Sequence, residues 1–256
     1  MSPALLPGDW SLAALVASAV AIALAGIVRG LTGFGFSALA VSSMSLWLPP
    51  AQVVPPVLLL EVLASVRLLP SVWREIHWDW MRWLVIGNVV GIPLGVALLA
   101  GGDAHVVKAV IAGLVLVFAV ALARAWRPPW HDGRPARLFT GIVSGLCNGL
   151  AAIGGLAAVV MLLSTAVAMA ATRATLIGLF MFTDAYALAV AASQGLVGAS
   201  TLKATAWLLP PTLIGVGLGS RWYARIDAAR FRRYVIYLLI GLSLLGIGAG
   251  ALRLVG

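Results

Sequence analysis

The chain has 256 residues, 62% of them hydrophobic and only 10% charged, with a mean hydropathy of +1.07. Eight acids and seventeen bases cannot clothe the surface of a water-soluble domain of this size, so the composition excludes one and describes a polytopic membrane protein. A net charge of +9 would suggest nucleic acid in a soluble chain, but in a membrane chain the bases first report orientation.

The N-terminal stretch Met1 to Trp10 carries Asp9 and no Lys or Arg. It lacks the basic region of a secretory signal, and the first apolar run is expected to be retained. Apolar stretches follow near 11–28, 34–48, 51–72, 83–101, 105–126, 138–164, 171–194, 204–221 and 234–252. All are expected to be helices, because a backbone in hydrocarbon must satisfy its own hydrogen bonds and no alternating β-barrel pattern is present. The stretch 11–48 is about 55 Å of helix, too long for one crossing of a core about 30 Å thick, and is read as a hairpin.

Thirteen of the seventeen bases fall into four groups: Arg67, Arg74 and Arg82; Arg124, Arg127, Arg134 and Arg137; Arg173; and Arg221, Arg225, Arg230, Arg232 and Arg233. Lys108, Lys203 and Arg253 lie elsewhere, and Arg29 lies inside an apolar stretch. The positive-inside rule makes the four groups cytoplasmic and leaves no need for a nucleic-acid partner. Arg67 and Arg173 are read as snorkelling to the inner interface, and Trp73, Trp78, Trp80 and Trp83 as an interfacial belt. This topology requires 138–164 to turn back on itself, with its two pieces meeting near Cys147 to Gly149.

The two halves share order and spacing. Gly26-Ile27-Val28-Arg29-Gly30-Leu31 recurs as Gly141-Ile142-Val143-Ser144-Gly145-Leu146, Gly91-Ile92-Pro93-Leu94-Gly95 as Gly215-Val216-Gly217-Leu218-Gly219, and Asp103-Ala104 as Asp227-Ala228. The reading is an all-α protein of two inverted repeats, 1–126 and 138–256, joined by a basic linker 127–137, each repeat a glycine-broken hairpin plus three spans. Both termini are then outside. Such repeats place a transporter's site where the broken helices meet.

The expected substrate-binding residues therefore lie at the two breaks: Arg29, Gly30, Thr32, Gly33 and Gly35 in one, Gly145, Cys147, Asn148, Gly149, Gly154 and Gly155 in the other. Glycine lets backbone N–H groups converge on an anion, and Arg29 adds a full charge. The competing role for any one glycine is close helix packing. Glu61 and Asp184 fall inside apolar runs, 123 positions apart by their numbers, and are read as a pseudo-symmetric pair that binds protons or holds the site arginine.

The GIVxGLxG segments at both half-starts, the glycine-rich turn running into a helix ended by Pro49-Pro50, and the duplication resemble the sulfite exporter TauE/SafE family over nearly the whole chain. The resemblance implies a secondary transporter of sulfite, sulfonates or related small anions in the bacterial inner membrane, working by alternating access. The alternatives are an anion channel, or a non-transporting membrane enzyme or complex subunit. No catalytic residues are expected, since the run Ser42-Ser43-Met44-Ser45 lacks the flanking glycine and membrane histidine of an intramembrane protease. His77, His105 and His131 sit in separate loops and form no metal triad, the lone Cys147 excludes a disulfide, and no P-loop is present. Neither cofactor nor metal is expected; the partners are the anion, the lipid bilayer and protons.

Overall fold

The computed structural model describes residues 6–128, 133–222, 233, 236–244 and 246. Among them every regular element is a helix: α1 Leu12–Thr32, α2 Phe36–Met44, α3 Pro50–Val72, a 3-10 turn Trp73–Glu75, α4 Trp78–Gly101, α5 Ala104–Ala123, α6 Arg134–Ala151, α7 Gly154–Leu162, α8 Met169–Ser193 and α9 Ala199–Trp222. Residues 236–244 are helical too. Helices α1, α4, α5 and α8 are each long and apolar enough to cross a membrane, and Pro50–Val66 with Leu68–Glu75, bent by 49°, make a fifth candidate span. Helices α2 and α7 have nine residues each, about 13 Å, less than half of a bilayer core.

Local chemistry ends these helices where backbone groups run out of partners. Ser11 Oγ accepts the Ala14 N–H at the start of α1. The Asp103 carboxylate accepts from His105 and Val106 N–H at the start of α5, which holds its carboxyl below the usual range. Proline occupies the first positions of α3 and α6, where no intrahelical N–H is needed. Among the described residues, the order helix, break, short helix and three further helices occurs twice, first from α1 to α5 and then from α6 to residues 236–244.

The major packing runs between the halves. Helix α1 packs on α9, α4 on α6, and α3 on α8. Glycine seams make the first two close: a Cβ on Gly30 would stand 2.5 Å from the Val216 carbonyl oxygen, and one on Gly219 2.2 Å from that of Ile27. In the other seam, Cβ atoms on Gly91, Gly145 and Gly149 would lie 2.2, 2.7 and 2.3 Å from the backbones of Ile142, Asn88 and Ile92. In lipid, where apolar side chains gain little by leaving their surroundings, such backbone-to-backbone dispersion drives helix association.

Two of the four basic groups meet at Asp79, beside the start of α8. Asp79 pairs with both Arg82 and Arg137, the Arg137 guanidinium lies 4.7 Å over the Trp80 ring, and the His77 N–H donates to Thr175 Oγ1 at 2.9 Å. The tryptophan belt is smaller than expected: Trp73 and Trp78 are exposed and touch edge-on, whereas Trp80 is buried beneath Arg137. His77 is a helix cap, its Nδ1 accepting the Trp80 N–H. His131, Asp227 and Arg253 lie outside the described residues.

The second break also differs from the expectation. Helix α6 runs through Cys147, Asn148 and Gly149 to Ala151, and the chain turns at Ala152-Ile153. Gly149 does not interrupt the helix because it is seated against α4 and keeps helical geometry. The turn is made by Ala152 at φ 56, whose N–H bonds back to the Asn148 carbonyl at 2.7 Å. A left-handed alanine costs about 1–2 kcal/mol, which the surrounding packing must offset.

Candidate functional site

The first break is built from Arg29 to Gly35. Gly33, at φ +81, caps α1 by donating its N–H to the Arg29 carbonyl, and Gly35, at φ +86, starts α2. Thr32 fixes the turn between them, its hydroxyl donating to the Val28 carbonyl and accepting the Phe34 N–H. The Arg173 side chain lies over this turn; a Cβ on Gly33 would stand 2.8 Å from its Cγ. The stem of Arg173 therefore covers the break.

Arg29, in the last turn of α1, is completely buried. Its Nη1 forms an ion pair with Glu61 Oε2 of α3, and its Nη2 donates to Ser65 Oγ, 2.7 Å away and one turn further along α3. The other Glu61 oxygen accepts from the Ser37 hydroxyl in the first turn of α2. The guanidinium carbon lies 5.2 Å from the centroid of Phe180 on α8. Phe180 in turn covers Gly155, where a Cβ would meet the ring at 2.4 Å.

The second half contributes a parallel pair. Asn148 of α6 donates to Asp184 Oδ1 of α8 at 2.8 Å, and both side chains are buried. Asp184 is close enough to interact electrostatically with Glu61 and Arg29. Among the described residues, Asp184 Oδ2 and Arg29 Nε are buried without a hydrogen-bond partner. Two orphaned polar atoms of opposite sense in one cluster mark a place where a further polar group can bind.

Between the breaks lies a small cleft lined by Gly35, Ser37, Glu61, Ile153, Gly155 and Phe180, among others. Helices α2 and α7 both begin at this cleft. The first N–H groups of a helix have no intrahelical acceptor and carry the positive end of its dipole. Two such ends beside a guanidinium form an arrangement suited to a small oxyanion.

Of the residues singled out in the sequence, Gly35, Gly155 and Glu61 line the cleft, while Arg29, Asn148 and Asp184 stand in the polar cluster around it. Thr32 and Gly33 shape the turn, and Gly154 seats α7 on α6, its Cβ position 2.3 Å from the Ser144 carbonyl. Gly30, Gly145 and Gly149 face the helix seams, and Cys147 is fully buried in the core. Sequence reasoning missed Ser37, Ser65 and Phe180. Ser65 carried a signal, because it follows Glu61 by four positions and shares its helix face.

The model of the sulfite exporter TauE/SafE family matches residues 18–246 of the chain. No curated protein and no solved structure matches it.

Proposed function

We propose that this chain, which belongs to the sulfite exporter TauE/SafE family, carries sulfite or a small organosulfonate across the bacterial inner membrane at the cleft between its two broken hairpins. The family is one of membrane anion exporters, and the helices supply the spans. The observation that carries the site assignment is that α2 and α7 both start at a cleft beside the buried Arg29–Glu61 pair. An oxyanion with several acceptor oxygens suits backbone N–H groups on two sides and a planar guanidinium fork.

The repeats are read as inverted, with the Asp79–Arg137 end cytoplasmic and both termini outside, so that alternating access exposes the cleft to each side in turn. Charge counting then links substrate to protons. The Arg29 charge is already countered by Glu61, so an incoming anion meets a site that is neutral, or negative with Asp184 ionised. An anion binds more readily when one of the two carboxylates takes up a proton, because a buried uncompensated charge costs several kcal/mol. Export needs no such help, since a 100 mV potential supplies about 2.3 kcal/mol, roughly fifty-fold, to an outgoing monoanion.

The test is flux into proteoliposomes over a panel of sulfite, sulfoacetate, taurine, sulfate and chloride, with and without a pH gradient. Saturable exchange of sulfite or sulfoacetate is expected. Single-channel currents, or transport of chloride alone, would overturn the proposal.

A further inference from the structure

An almost wholly apolar groove of about 190 Å³ opens on the outside of the bundle where the end of α5 meets α6 and α7. Val117, Phe118 and Ala121 of α5 form one wall; Phe139 and Val143 of α6 and Met161 of α7 form the others. Helix α7 packs on both neighbours, so the groove lies between the two arms of the second hairpin and the last helix before the 127–137 linker. The Thr140 hydroxyl on its wall donates to the Ala136 carbonyl and offers nothing to the space. None of these residues lines the central cleft.

A space of this kind takes hydrocarbon. Apolar cavities of about 150 Å³ stay dry and accept apolar ligands. Val117 and Phe139, on two walls of this groove, are more than half exposed. Around a chain whose helices cross a bilayer, the medium that reaches such a groove is acyl chain. The groove differs from ordinary lipid-facing surface, such as Val16, Val20 and Leu24 on α1, in being concave and in having a basic end.

The chain itself fixes that basic end. Trp126 and Pro128 line the groove, and Arg124 and Arg127 alternate with them in sequence; Arg134 opens α6, little more than one turn before Phe139. All three arginines are exposed, and among the described residues the ion pairs are those of Arg29, Arg82 and Arg137. The whole segment 124–137 holds four arginines and one acid, Asp132. A base at the membrane surface favours an anionic headgroup by about fivefold. We propose that the groove binds one anionic phospholipid, with an acyl chain against α5 between α6 and α7 and the headgroup phosphate among Arg124, Arg127 and Arg134. Such a lipid bridges the two halves at the linker and braces α7, whose first turn stands at the central cleft. Its binding is independent of what that cleft carries.

The experiment attaches bimane to a single thiol, Val117→Cys in a Cys147→Ala chain, in phosphatidylcholine nanodiscs, and adds phosphatidylglycerol with brominated acyl chains that quench the label on contact. Quenching is expected to saturate at a low mole fraction of phosphatidylglycerol, and to rise only in proportion to the fraction when the brominated lipid is phosphatidylcholine. A label at Val20→Cys on the exposed face of α1 reports bulk lipid and should not distinguish the two. Arg124→Gln with Arg127→Gln should raise the half-saturating fraction about tenfold or more. Phosphatidylglycerol should also raise the unfolding temperature of the parent chain and not of that variant. Phe139→Cys, on another wall, gives the same readout if Val117→Cys does not fold. Identical curves at positions 117 and 20, equal quenching by the two lipids, or an unchanged half-saturating fraction in the arginine variant overturns the proposal. So does a label shielded from both lipids, which would mean that a second copy of the chain covers the groove.

Discussion

Arg29 and Glu61, on different helices and 32 positions apart, form an ion pair from which water is almost wholly excluded, their side chains being 0% and 2% exposed. Neither charge can be left alone there without a cost of several kcal/mol, so the pair holds α1 to α3 at the break. Under the proposed function, the same pair is a competitor for the anion that must pass.

Stability and transport should therefore separate in a double-mutant cycle. Arg29→Met or Glu61→Leu alone is expected to lower stability by about 3–5 kcal/mol, because each strands the partner's charge. The double variant should recover most of that loss and still fail to move sulfite. Thermal unfolding and proteoliposome flux on the same purified proteins check both halves; restored flux in the double variant would show that Arg29 has no part in transport.

Neutral mimics test the proton link. Glu61→Gln and Asp184→Asn keep acceptor oxygens for Ser37 and Asn148 but cannot ionise. Anion exchange is expected to persist in at least one of them while its response to a pH gradient disappears. A variant that loses stability yet keeps full pH dependence in its remaining flux would make the carboxylates structural.

How far the site could be read from sequence depends on the kind of information each residue carries. Arg29, Glu61 and Asp184 were visible because a charge in an apolar run has few explanations. The first break was visible too, because Gly33 and Gly35 adopt positive φ that other residues resist. The second was misplaced because its turn uses Ala152, whose strained backbone leaves no mark in composition. Gly145 and Gly149 looked identical to turn glycines, since the sequence records a missing side chain and not the helix that fills its place. Phe180 carried no signal at all: an aromatic residue in an apolar run is ordinary until its ring is seen over a guanidinium.

The helix seams give a prediction whose sign changes with position. Gly91→Ala would drive a Cβ to 2.2 Å from the Ile142 carbonyl oxygen, so α4 and α6 must part, at a cost of about 1–3 kcal/mol or more. Gly113→Ala meets nothing within 4 Å and should be neutral or stabilising by about 0.5–1 kcal/mol, the ordinary gain of alanine over glycine in a helix. Thermal unfolding of the two variants, side by side, checks the contrast.

Topology is open to labelling. On a Cys147→Ala background, cysteines at His77 and His131 are expected to react only from the cytoplasmic side, and cysteines near the termini only from outside, as thirteen of seventeen bases on one side require. Labelling of position 131 solely from outside would reverse the orientation and remove the basis for inverted halves.

The two seams also determine what the chain's mechanical units are. Because α1 is fastened to α9 and α4 to α6 at backbone distance, the rigid pairs each take one helix from either side of the 127–137 linker. Rocking motions that separate the first half of the sequence from the second would have to tear both seams, so any moving body must be assembled from both halves. Cut at the linker, the protein would yield two fragments that each expose a pair of glycine-lined grooves. Neither could fold to completion alone, but co-expressed they should re-form the seams, and a half-length chain with the same pattern would be stable only as an intertwined dimer.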